Sequence, residues 1–125
     1  MTALDPYLKA AGRVLLSLIF VWAGYGKIFS YAGAQGYMEK SGVPGELLPL
    51  VILTELGGGL AILLGWQTRW VALALAGFCV LSALFFHLDL GDKTQLIQFL
   101  KNLGLAGGFL VLAAAGPGAL SMDER

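Results

Sequence analysis

The sequence predicts an all-α integral membrane protein: one four-helix bundle, antiparallel and up-down in topology, with both termini on the same side. Three observations predict it. Hydrophobic residues make up 58% of the 125 positions before the 18 glycines are added, against about 45–50% with glycine included in an average soluble domain. Charged residues make up only 13%, about half the usual share. Four segments approach the ~20 mainly apolar residues that a bilayer crossing requires. A domain this small has too much surface for its volume to bury so much apolar side chain in an aqueous core. Eight basic and eight acidic residues give zero net charge, so the basic excess that nucleic-acid binding uses is missing. Disorder, which needs low hydrophobicity and high net charge, is excluded too.

The predicted elements follow in order, within a single domain of residues 1–125. The start, Met1-Thr2-Ala3-Leu4-Asp5-Pro6-Tyr7, lacks a basic n-region and a clear cleavage site and reads as a retained N-terminus. The first span covers residues 10–29. A polar, Gly-rich loop over 30–46 follows, with a short interfacial helix expected at 37–40. The second span covers 47–65, with Pro49 in its first turn, where a missing N–H is harmless. Residues 65–69 make a tight turn, and the third span covers 70–88. Asp92 is placed to cap the fourth span, which covers 95–116 and stops at Gly116-Pro117-Gly118. Trp66, Trp70 and Tyr37 stand where interfacial aromatics belong. The segments do not alternate in polarity as barrel strands would.

Orientation follows from basic residues near the ends. With the N-terminus inside, the inner face carries Lys9, Arg13, Arg69 and Arg125, and the outer face Lys27, Lys40, Lys93 and Lys101. Lys27 and Lys101 lie within helices, and discounting them tilts the balance toward N-inside; discounting Arg13 narrows it again. Small residues mark packing surfaces: Gly57, Ala61 and Gly65 recur every four residues, as do Gly104 and Gly108, with Gly24 and Gly58 beside them.

Depth is the main functional signal. At 1.5 Å rise per residue, Glu55 lies roughly 12 Å into the second span and Lys101 roughly 9 Å into the fourth, from the same side. Lys27 ends the first span and His87 the third on that side. Every helix thus gives the outer leaflet a polar group: Lys27, Glu55, His87, and Lys101 with Asn102. Helical spacing puts Arg13, Ser17, Phe20, Gly24 and Lys27 on one face, and Leu73, Ala76, Val80, Ala83 and His87 on another. Lys101, Gly104 and Gly108 align on the fourth span.

A charge in the membrane costs at least about 2.5–3.5 kcal/mol, so Glu55 must pair, protonate or face water. Depth makes Lys101 its first partner and Lys27 its second. The same bridge can serve only to fix helix register, and Lys27 alone can snorkel to the interface. His87 at a helix end also suits an interfacial polar residue. Arg13 reads as a phosphate anchor in the opposite leaflet, with Arg69 a second structural anchor. The lone Cys79 reads as a packing residue. With one Cys and one His no metal site is expected, and no catalytic residue is assigned. The cluster is net positive, which suits an anion or a quinone-like headgroup.

Taken in order, the motifs resemble the DoxX family of small four-helix membrane proteins. They are Arg13, Phe20-x-x-Ala23-Gly24-x-x-Lys27, Gly42-Val43-Pro44, Glu55-Leu56-Gly57-Gly58 and Leu64-Gly65-x-x-Thr68-Arg69. Phe86-His87, Lys101-Asn102, Gly107-Gly108 and the Gly-Pro-Gly and Ser121-Met122-Asp123 ending complete them. The resemblance implies a bundle in the bacterial cytoplasmic (inner) membrane with both termini cytoplasmic. It also implies a link to redox complexes: relatives serve as the membrane subunit of a thiosulfate:quinone oxidoreductase or assemble with redox-stress enzymes. The chain carries no flavin, haem or nicotinamide motif, so a bound quinone or partner subunits would supply electron transfer. Three readings stand. The chain is a redox-complex membrane subunit with a quinone or sulfur-compound site, a scaffold or anchor for partner proteins, or a small transporter that works as a homo-oligomer.

Overall fold

The computed structural model describes residues 3–124. Arg125, counted above with the inner-face charges, lies outside the described residues, as do Met1 and Thr2. The described chain folds into five helices and no strand. These are α1 (Asp5–Phe29), α2 (Tyr31–Lys40), α3 (Gly45–Leu64), α4 (Thr68–Phe86) and α5 (Lys93–Ala115). All but α2 are long and apolar enough to cross a membrane. The antiparallel four-helix membrane bundle is as predicted. The chain pairs α1 with α3 and α4 with α5 most closely.

The ends of the helices follow local chemistry. Helix α1 starts five residues earlier than predicted, because Pro6 and Asp5 suit a helical first turn. Helix α2 extends the expected short interfacial helix back to Tyr31. Helix α3 begins as a 3-10 turn over Gly45–Leu47, with Pro49 in the first α-helical turn. It ends at Gly65, whose φ of 72° is left-handed. There the Gly65 N–H donates to Ile62 O (3.2 Å) and the Trp66 N–H to Ala61 O (2.8 Å), satisfying two terminal carbonyls. Asp92 caps α5 as expected, accepting from the Thr94 N–H at 2.9 Å.

Helix α3 is not a uniform α-helix. Leu53–Gly57 form a π turn, which takes one extra residue and rotates everything after it relative to an unbroken 3.6-residue period. The four-residue ladder of Gly57, Ala61 and Gly65 therefore does not form one interface. Gly57 is exposed, while Ala61 is buried and Gly65 is the cap. Gly58 and Gly59 face inward instead. A Cβ on Gly58 would lie 3.0 Å from Leu75, and one on Gly59 2.9 Å from Val21. Gly24 meets α3 most tightly, its Cβ position being 2.7 Å from the Leu56 nitrogen. Gly108 packs on Leu16, but Gly104 has nothing within 4 Å and is exposed. The packing roles expected of Gly57 and Gly104 are thus corrected.

The core is a thin seam of Phe20, Ile62, Ala72, Leu75, Ala76, Cys79, Ala106, Phe109 and Leu112. Phe20 and Phe109 meet edge-on with centroids 5.4 Å apart. Large residues such as Trp22, Leu53, Trp70 and Val111 point outward, as expected where lipid tails are as apolar as leucine and packing alone joins helices. On α1 the inward residues are Arg13, Ser17, Phe20 and Gly24, the predicted face. On α4 they are Thr68, Ala72, Leu75, Ala76, Cys79 and Ala83. Leu73 and Val80 of the expected α4 face are exposed, because the inward stripe there runs through smaller neighbours that let α5 approach.

The Arg13 side chain is 2% exposed and reaches no lipid surface. Its Nε donates to Pro117 O (3.1 Å), and Nη1 to Ile62 O (3.2 Å) and Leu63 O (3.0 Å). Nη2 donates to Leu120 O. The expectation of a phosphate anchor is corrected: the donors of the guanidinium are spent on the last carbonyls of α3 and on the C-terminal segment. Asp123 completes this clamp. Its two carboxylate oxygens accept the Gln67 and Thr68 N–H groups at 2.7 and 2.8 Å, and its own N–H donates to Gly65 O at 2.9 Å. Arg69 lies against Gly116, where a Cβ would meet its guanidinium at 2.9 Å.

Candidate functional site

At the opposite end of the bundle from this clamp, α1, α3, α4 and α5 splay beneath α2 and enclose a cavity of about 390 Å³. Its wall includes Lys27 from α1, Glu55 from α3, His87 after α4, and Lys101 and Asn102 from α5. All five residues selected by depth thus line one space. Ile19, Phe20, Phe78 and Leu105 give it an apolar floor, and Tyr37 and Met38 of α2 contribute from above.

Glu55 occupies the π turn, and the irregular backbone there aims a carboxylate inward from the middle of α3. Single π turns of this kind recur at functional sites. The carboxylate pairs with Lys27, whose Nζ lies 2.7 Å from Oε1. The predicted order of partners is therefore reversed. Lys101 Nζ instead donates to Gln98 Oε1 at 2.6 Å and its side chain is exposed. Lys27 wins because Gly24, one turn earlier, brings α1 into backbone contact with Leu56, next to Glu55. Oε1 is buried, and among the described residues the Lys27 ammonium is its partner.

The His87 ring is held by Gln95, with Nδ1 donating to Oε1 at 2.8 Å. This leaves Nε2 of the neutral ring as an acceptor. Phe86 stacks on Tyr37 with centroids 5.3 Å apart, which ties α2 to the end of α4. Gln35 Nε2 donates to Gly45 O at 3.2 Å, and the Val43 N–H to Met38 O at 2.9 Å. These bonds fix α2 over the cavity. Gln95, Gln98 and the Tyr37–Phe86 stack escaped sequence reasoning. The three-residue step from Gln98 to Lys101 was the one available signal.

Chemically, the cavity offers two ammonium groups, one carboxylate, an amide at Asn102 and an imidazole within an apolar enclosure. That set suits an oxygen-bearing headgroup that accepts from cations and can share a proton with a carboxylate. Among the described residues, no group of His, Cys, Asp and Glu could hold a metal ion. Cys79 is buried in the core and also lines the cavity.

Comparison with known proteins gives a consistent answer. The chain is similar to inner membrane protein YqjF of Escherichia coli (strain K12), at 55% identity over 124 residues, covering 99% of this chain and 95% of the relative. It is also similar to inner membrane protein YphA of the same organism, at 35% identity over 130 residues, covering 98% and 93%. No solved structure matches the chain. The DoxX family model matches residues 8–88, a stretch that holds Lys27, Glu55 and His87 and takes in α1 almost from its start through to the end of α4. With that match over more than half of its length, the chain belongs to the DoxX family.

Proposed function

We propose that this protein is the membrane subunit of a redox complex in a bacterial inner membrane, and that its polar cavity binds a quinone-like headgroup. One observation supports the site above all: the buried Glu55 carboxylate, paired with Lys27 at 2.7 Å, shares its cavity wall with His87, Lys101 and Asn102. Burying a carboxylate costs several kcal/mol, which a single ammonium offsets only in part, so a ligand that donates to it or shares its proton would add to that compensation. The inner-membrane placement is supported by the names of the two relatives. Cytoplasmic termini are supported by the family resemblance.

The residues present fit such a group. Lys27 and Lys101 favour a carbonyl or anionic oxygen, Asn102 offers an amide donor, and the Gln95-held His87 offers Nε2 as an acceptor. A bound quinone would supply the electron-carrying chemistry. The chain's own residues orient the headgroup, exclude water through the apolar floor, and hold a proton at Glu55. The test is gentle solubilisation followed by mass spectrometry of co-purifying small molecules and proteins. A quinone or soluble redox proteins recovered with the wild type, and lost from Glu55→Gln, support the reading. Wild-type protein that carries neither contradicts it.

A further inference from the structure

A second cavity of about 370 Å³ lies beside the polar one. The two share Met38, Val51, Phe78, Ser82 and Phe86 as a common wall. Its outer rim is Leu47 and Leu50 from α3 and Leu81 and Phe85 from α4, each 44–59% exposed. In a bilayer that rim faces hydrocarbon. The groove carries almost no free polarity: the Thr54 hydroxyl is spent on Leu50 O at 2.8 Å, and Ser82 stands on the wall shared with the polar cavity. Its size is at the low end of ligand sites, about 300–1,000 Å³.

We propose that this groove holds the apolar chain of a single-tailed amphiphile whose oxygen-bearing head occupies the polar cavity, entering sideways from the bilayer between α3 and α4. The inference rests on reading the polar cavity as a headgroup site. The physical logic lies in what each compartment can exchange. Lipid tails are as apolar as the groove, so a chain moving from bilayer to groove gains no hydrophobic drive and loses none. Selectivity then comes from the head, which must find cations and a carboxylate, while the tail only needs continuous apolar surroundings. A water-soluble ligand would leave the groove to lipid. Helix α2 covers the route from the aqueous side, with Met38 buried and Tyr37 stacked on Phe86, whereas the side between α3 and α4 is open.

The probe is decyl benzoquinone with a diazirine at mid-tail, photolysed with the protein in phosphatidylcholine nanodiscs, and the adducts are mapped by mass spectrometry. Adducts are expected on residues 47–54 and 81–86, saturable and competed by unlabelled decyl benzoquinone. Leu50→Trp combined with Leu81→Trp fills the groove from two lipid-facing positions. It should cut that labelling at least tenfold while changing the affinity for a tail-less dimethoxybenzoquinone less than twofold. Labelling spread evenly over lipid-facing sites such as Trp22 and Val111, without competition, or left intact in the double variant, overturns the groove. The headgroup reading fails separately, if tail-less quinone binds wild type and Glu55→Gln alike.

Discussion

Lys27 and Glu55 form an ion pair across the α1–α3 crossing, with Nζ 2.7 Å from Oε1, and the two partners are unequally buried. The Glu55 side chain is 9% exposed and that of Lys27 31%. A lysine deprived of its partner can extend toward the interface. A glutamate in the π turn has nowhere comparable to go.

The pair should therefore respond asymmetrically to substitution. Lys27→Met strands a buried carboxylate and should cost roughly 3–5 kcal/mol, the usual penalty for breaking a buried pair. Glu55→Gln should cost about 1 kcal/mol or less, because Lys27 can snorkel. The double variant should be more stable than Lys27→Met alone. Thermal unfolding in a mild detergent checks the order; equal losses in the two single variants would contradict it.

Arg13 should prove irreplaceable by lysine. Its guanidinium donates to carbonyls of Ile62, Leu63, Pro117 and Leu120 in one geometry, and an ammonium offers no such planar fork. Each charge-assisted bond is worth about 1.5–3 kcal/mol, so Arg13→Lys should lose at least about 2 kcal/mol. The C-terminal segment after Gly116 should then become cleavable in limited proteolysis while the spans stay protected.

Asp123 should make stability depend on acid pH. Burial works against its charge, but the Thr68 and Gln67 N–H groups and the nearby Arg13 guanidinium outweigh it and hold the carboxyl below the usual carboxylate range. Because the folded value is the lower one, the stabilisation is complete above the ordinary carboxylate range. It is lost as pH falls through the folded value. Asp123→Asn should lower the melting temperature near neutral pH, and the gap from wild type should close as the pH is taken below about 4, near the ordinary carboxylate value.

Two glycines, on the first and the last helix, should give opposite results. Gly24→Ala drives a methyl into the Leu56 backbone and should cost about 1–3 kcal/mol by overpacking. Gly104→Ala meets open space and should be neutral or gain up to about 1 kcal/mol from helix propensity. Unfolding of the two variants side by side decides it.

Much of this fold was legible because spans, stops and the Asp92 cap are local patterns. The α1 face from Arg13 to Gly24 was legible too, since no irregularity interrupts its period. What escaped has identifiable physical causes. The π turn at Leu53–Gly57 breaks the register, so the glycine ladder of α3 misplaced the contact surface. Arg13 and Asp123 bind backbone groups, and carbonyls and N–H groups look alike in every sequence. The five cavity residues could be gathered by depth, because helical rise is constant. Which cation Glu55 takes depended on the closeness of α1 and α3 at Gly24, which no counting of depth reveals.

The most direct test is the affinity of decyl benzoquinone for the protein in nanodiscs, wild type against Glu55→Gln. Loss of one charge-assisted contact, about 1.5–3 kcal/mol, predicts binding weakened tenfold or more, since about 1.4 kcal/mol is a factor of ten, in a variant that melts close to wild type. Equal affinities in the two proteins would contradict a headgroup site built on Glu55.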